Sequence, residues 1–186
     1  MKKAFLIFMI SIMAAAAFSG CAQEEKFVGS QDTQGFGYDM QIYQTVDEIK
    51  DSSAAIVIAS YSSDPTECYE KDEGTGMELY ATRYTLDVEE VLKGDLAEAD
   101  QITFMQTGKP DSDEYETKIK KGKKYLLFLA QKDVSLTGGE IIYDAVGVEQ
   151  GIIEIKENNK LYPYYDEGIM TKYDGESLSK LAAEIK

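Results

Sequence analysis

The chain has 186 residues, with 19 basic against 34 acidic side chains, no histidine, no tryptophan and a formal net charge of −15. That charge opposes approach to nucleic-acid phosphates, which excludes DNA and RNA as partners. Without histidine no Ser-His-Asp or Cys-His arrangement can be built, and two cysteines offer too few ligands for zinc.

Met1-Lys2-Lys3 gives a short positive start, residues 4–18 are almost all apolar or small, and Ser19-Gly20 lead into Cys21. This order of charge, apolar stretch and small residues is an export signal. The apolar stretch, about 15 residues, is shorter than the ~20 a membrane span needs. Phe18-Ser19-Gly20-Cys21 resembles a bacterial lipobox, whose usual form is Leu-Ala/Ser-Gly/Ala-Cys. The resemblance implies cleavage before Cys21 and a diacylglycerol on its sulfur. Each buried methylene contributes about 0.8 kcal/mol, so two acyl chains hold where one is marginal. Residues 1–20 are then a signal peptide, and residues 21–40, polar and glycine-rich, a tether. Residues 41–186 are long enough for one domain with a real core. The expected location is extracytoplasmic, anchored to the bacterial cell membrane. Cys68 is the only other cysteine, so a lipidated Cys21 leaves no intramolecular disulfide.

Within the domain, Thr45 with Glu48 three residues on predicts a capping box and a short helix, stopped by Asp51-Ser52-Ser53. Residues 54–61 form an unbroken apolar, β-branched run, which predicts a strand buried on both faces. Residues 62–76 read as a polar loop. From Leu79 to Val91 the pattern alternates, with Tyr80, Thr82, Tyr84, Leu86 and Val88 on one face. The parity breaks at Glu89-Glu90, which predicts a β-bulge and a bent strand. Lys93-Gly94-Asp95 reads as a turn, 102–106 as a strand and 109–114 as a loop. A basic turn at 120–123 opens 124–130, the greasiest segment after the signal and the expected central strand. Two more strands follow at 141–146 and 151–155, with Asn158-Asn159 turning the chain into Lys160-Leu161-Tyr162. Ser177 is placed to cap a final helix whose Leu178, Leu181, Ala182 and Ile185 share a face. The expected fold is mainly β, a β-rich α+β domain. Its core is an OB-like, closed or partly open antiparallel barrel of five to six strands, with a short N-terminal helix and a C-terminal helix.

Val88-Glu89-Glu90-Val91-Leu92-Lys93-Gly94, Gly122-Lys123-Lys124-Tyr125-Leu126-Leu127-Phe128-Leu129 and the pair Gln150-Gly151 resemble motifs of small uncharacterised lipoproteins of Gram-positive bacteria. The likeness spans about residues 45–156. More remotely, the layout is similar to the OB-like barrel of netrin-type modules and tissue inhibitors of metalloproteinases. Those inhibitors act through a free Cys-x-Cys amine, whereas this chain has Cys21-Ala22-Gln23. No inhibitory residue carries over.

No phosphate-cradling Gly-x-x-x-x-Gly-Lys-Ser/Thr loop occurs, and no cofactor is implied. Carboxylate pairs leave an envelope hydrolase open as an alternative. Asp111, Asp113 and Glu114 are candidates for a divalent cation, although EF-hand spacing is absent. Cys68 sits among carboxylates, a poor setting for a nucleophilic thiol. Tyrosine is abundant, at 13 residues, and Tyr162, Tyr164, Tyr165 and Tyr173 cluster near the C-terminus. They are candidate partner-binding aromatics, for an envelope protein or glycan. The expected function is a membrane-anchored, non-catalytic binding module.

Overall fold

A computed structural model describes residues 41–71, 74, 76, 78–96, 100–132 and 140–186. Cys21 and the segments expected to be a signal peptide (1–20) and a tether (21–40) lie outside the described residues, which all belong to one compact unit. Helix α1 (Val46–Asp51) is followed by eight strands: β1 (Ala55–Ser60), β2 (Thr66–Lys71), β3 (Glu78–Lys93), β4 (Gln101–Thr107), β5 (Lys124–Gln131), β6 (Ile142–Ala145), β7 (Ile152–Lys156) and β8 (Lys160–Pro163). Helix α2 (Leu178–Ile185) closes the chain. No helix among the described residues is long and apolar enough to cross a membrane.

Five strands close a barrel in the order β1-β3-β4-β6-β5, with β5 returning to β1. All neighbours run antiparallel except β4 and β6, which are parallel through Thr103↔Ile142 and Phe104↔Tyr143. The expected closed or partly open antiparallel barrel is therefore closed, and mixed rather than antiparallel at every pair. The reason is parity: a closed ring with an odd number of strands cannot alternate direction throughout, so one pair must be parallel. The fold is an OB-like barrel with three extra strands and two helices.

The unbroken apolar runs of β1 and β5 have a direct cause. Ala55, Val57, Ala59, Tyr125, Leu127 and Leu129 point into the barrel, where they meet Tyr84, Leu86, Ile102, Phe104 and Ile152. Ile56, Ile58, Leu126 and Phe128 point outward, yet they too are buried, beneath Val46 and Ile49 of α1, Leu181 and Ile185 of α2, and Ile153, Ile155 and Leu161 of β7 and β8. Each fully buried side chain of this size contributes roughly 1.5–3 kcal/mol of hydrophobic stabilisation.

The expected bulge lies where the parity breaks. Ile58 faces Glu90 and Ala59 faces Val88, so Glu89 is an extra residue, and a second irregularity leaves Leu92 extra. The two bulges bend the 16-residue β3, whose first part pairs with β2 and whose last part pairs with β1. Strand β2 lies inside the stretch read as a polar loop. Thr45 makes the expected capping box with Glu48. Ser177 stands at the N-cap of α2 but its hydroxyl makes no capping bond; it meets Ser179 Oγ at 3.1 Å instead.

Candidate functional site

At one end of the barrel the lining turns from aliphatic to hydroxylic. Tyr61, Tyr84 and Tyr125 come from the end of β1, β3 and β5, with Thr82 and Gln106 beside them, all buried. Tyr125 and Tyr164 meet edge to face with ring centroids 5.7 Å apart and hydroxyls 2.9 Å apart. Lys120 N donates to the Tyr125 hydroxyl at 2.8 Å, and Tyr61 donates to Ile119 O at 3.1 Å. Tyr84, 1 % exposed, has no partner for its hydroxyl among the described residues. The nearby Thr82 Oγ1 gives its proton to Gly108 O at 2.7 Å.

The long connection from β4 to β5 closes this end, and it has no ladder to satisfy its backbone. Side chains do that work. Gln106 accepts from Ile119 N at 3.0 Å and donates to Thr117 O at 3.0 Å. Glu116 accepts from Thr107 N at 2.8 Å, Asp113 accepts from Lys118 N at 2.8 Å, and Glu149 accepts from Thr117 N. The buried Lys118 ammonium donates to Glu116 O at 2.8 Å. Burial pushes the Lys118 pKa down, against the raising pull of Glu116, Asp113 and Glu149. Asp113 is thus engaged in holding backbone, and Glu114 N donates to Ser112 Oγ at 3.3 Å, within the same loop. Asp111 is exposed. Among the described residues, no three His, Cys, Asp or Glu side chains converge where they could share a metal ion.

Among the described residues, Asp64 and Glu140 titrate low. Asp64 is held down by the hydrogen bond and charge of Lys121, and Glu140 chiefly by Thr103 and then by Arg83. Both shifts run opposite to what a general acid requires.

The four C-terminal tyrosines do not form one surface. Tyr173 is 4 % exposed, lies in the core beneath the helices and donates to Glu184 at 2.7 Å. Tyr164 packs on the barrel interior instead, and its hydroxyl is committed to Tyr125. Tyr162 is half-buried with the Lys156 ammonium 3.9 Å from its ring centroid, and Tyr165 is half-buried.

The aromatic surface that sequence reasoning missed lies on the β2–β3 hairpin. Tyr69 and Tyr80 are directly opposed in the ladder, with ring centroids 5.0 Å apart. Glu78 accepts from both hydroxyls, at 3.1 and 3.3 Å, and Lys109 sits 4.3 Å from the Tyr80 centroid. Tyr69 is 51 % exposed and Leu79, on the other face, 50 % exposed. Cys68 is half-buried on the same strand, opposite Ala81. The alternation of Tyr80 with Thr82 and Tyr84 signalled half of this pair; Tyr69 stood in a stretch whose acidic residues masked its strand.

The buried tyrosines predict alkaline lability. Burial raises the pKa of Tyr61, Tyr84, Tyr125, Tyr143 and Tyr164. A phenol raised above its unfolded value of about 10 keeps its proton longer in the folded state, so stability is fully present below pH ~10 and falls above it. Each proton withheld in this way contributes a slope of about 1.4 kcal/mol per pH unit. Urea midpoints are expected to fall steeply between roughly pH 10 and 11.5, with tyrosinate absorbance rising in step with loss of circular dichroism. Gradual ionisation of all 13 tyrosines in a still-folded chain would contradict this.

No family model matches the chain, and a search of curated proteins returns no match.

Proposed function

We propose that this protein is an extracytoplasmic lipoprotein, held at the bacterial cell membrane by a diacylglycerol on Cys21, whose barrel domain is a non-catalytic binding module. The observation that carries the reading is the Phe18-Ser19-Gly20-Cys21 sequence directly behind a short apolar stretch and ahead of a single domain. The domain's interior supports the second half. Its barrel is filled by side chains, and Asp113, Glu116 and Glu149 each accept from a backbone amide of the β4–β5 region. An OB-like barrel serves many functions, so the fold by itself selects none of them.

Cys21→Ala removes the sulfur that would carry the lipid. The wild-type chain is expected in the membrane fraction of a producing bacterium, and the variant in the soluble extracytoplasmic or culture fraction. Equal membrane retention of both chains would end the anchoring reading.

A further inference from the structure

The barrel has two sheet margins outside its closed ring, and they differ. Strand β8 pairs with β7 on one side. Its other side is covered by the chain itself: Leu161 N donates to Glu176 O at 2.9 Å, Gly175 N donates to Leu161 O at 2.8 Å, and Lys160 bridges to Ser177. Strand β2 pairs only with β3, through the ladder from Thr66↔Arg83 to Lys71↔Glu78. Among the described residues, nothing pairs with its outer edge. A six-residue edge whose outward main-chain groups find no strand among the described residues is a template for one more strand.

The chemistry beside that edge narrows the occupant. On one face Glu67, Tyr69 and Lys71 lie opposite Thr82, Tyr80 and Glu78. The Tyr80 ring already has Lys109 over it, 4.3 Å from the centroid, while Tyr69 remains about half exposed with the Glu78 carboxylate at its hydroxyl. An open tyrosine face next to a carboxylate is a receptor for a cationic side chain. The strand carries Glu67 and Glu70 against Lys71, within a molecule of net charge −15. That field repels a second copy of this chain and any acidic segment, and it attracts a basic one.

We propose that the outer edge of β2 receives an extended, basic polypeptide segment as an added β-strand, with a Lys or Arg of that segment over Tyr69. The inference deepens the binding-module reading and rests on it.

The test uses the full chain purified in detergent and, as the probe, an end-blocked fluorescent peptide of eight alternating Lys and Val residues. The expected result is saturable binding with Kd below about 1 mM. Amide-exchange protection should be gained at residues 66–71, and Tyr69→Ala should weaken binding at least ~10-fold. The Glu-Val counterpart should not bind. The Lys-Val peptide N-methylated at every residue, which keeps its charge but loses its main-chain donors on both edges, should not bind either. Absence of saturation, equal binding of the N-methylated peptide, or exchange protection located elsewhere would each overturn the proposal. Cys21→Ala should bind the peptide as the wild type does. Failure of the peptide therefore leaves the anchoring result standing, and failure of anchoring leaves the peptide result standing.

Discussion

Replacing Gly151 with alanine is expected to abolish the folded state or to lower its stability by roughly 3 kcal/mol or more. A Cβ at this position would lie 2.8 Å from Phe128 O, 2.8 Å from Val146 O and 3.0 Å from Val146 N. Those are backbone atoms, and none can swing aside. Phe128 is where β5 changes partner: residues up to Leu127 pair with β7, and residues from Leu129 pair with β6. At the switch, Phe128 N donates to Gly151 O at 2.9 Å and Val146 N donates to Phe128 O at 2.9 Å. A side chain at 151 would force these apart and pull both β6 and β7 off the central strand. Gly122→Ala is the control. Its φ of +74° favours glycine, but no atom lies within 4 Å of the added methyl. The cost there should be about 1–2 kcal/mol, the ordinary penalty of a left-handed residue. Urea unfolding of the two variants separates the cases, and equal stability would contradict the packing argument.

Gln150→Leu is expected to cost about 2–3 kcal/mol, with a local signature at the N-terminal margin of the domain. Gln150 is 2 % exposed. Its Oε1 accepts from Tyr43 N at 2.9 Å, and its Nε2 donates to Gln41 O at 2.8 Å and to Gly147 O at 3.3 Å. The amide thus stands in for a neighbouring strand, and Ile169 N completes the clamp by donating to Tyr43 O at 3.0 Å. Leucine fills the space but leaves the Tyr43 amide buried and unpaired. Amide exchange at Tyr43 should accelerate by a larger factor than exchange at Leu127 in the centre of β5. Uniform acceleration across the domain would show that Gln150 supports the whole fold equally rather than fastening its first segment.

Where burial dictated the residue pattern, the fold could be read from the sequence. Strands β1 and β5 are apolar on both faces because the barrel lies on one side and the helices with β7 and β8 on the other. The bulge at Glu89 showed itself as a break in alternation, and the capping box of α1 as a Thr-to-Glu spacing. Strand β2 was hidden for the complementary reason. A hairpin arm solvated on its faces has no core to impose apolar alternation, so Thr66-Glu67-Cys68-Tyr69-Glu70-Lys71 looks like loop. The C-terminal tyrosines misled in the other direction. Clustering in sequence implied a shared surface, yet Tyr164 and Tyr173 pack into different parts of the core.

The motifs behind the lipoprotein resemblance are explained by structure rather than by chemistry. In Leu92-Lys93-Gly94, Leu92 packs on the core and the Lys93 ammonium donates to Lys50 O and Ser53 O at the end of α1. Gly94 lies where a Cβ would meet Ala54 O at 2.5 Å. Gln150 and Gly151 fasten the N-terminal segment and the partner switch of β5. Residues that hold a fold announce the fold, so these motifs speak to architecture rather than to a ligand.

Metabolic labelling with an alkyne-tagged fatty acid, followed by mass spectrometry of the N-terminal peptide, puts the anchor directly to the test. The expected result is a labelled wild-type chain beginning at Cys21 with a diacylglyceryl mass on its sulfur, and an unlabelled Cys21→Ala chain. A wild-type chain that begins elsewhere, or that carries no acyl label, would contradict the claim that this barrel works from the membrane surface.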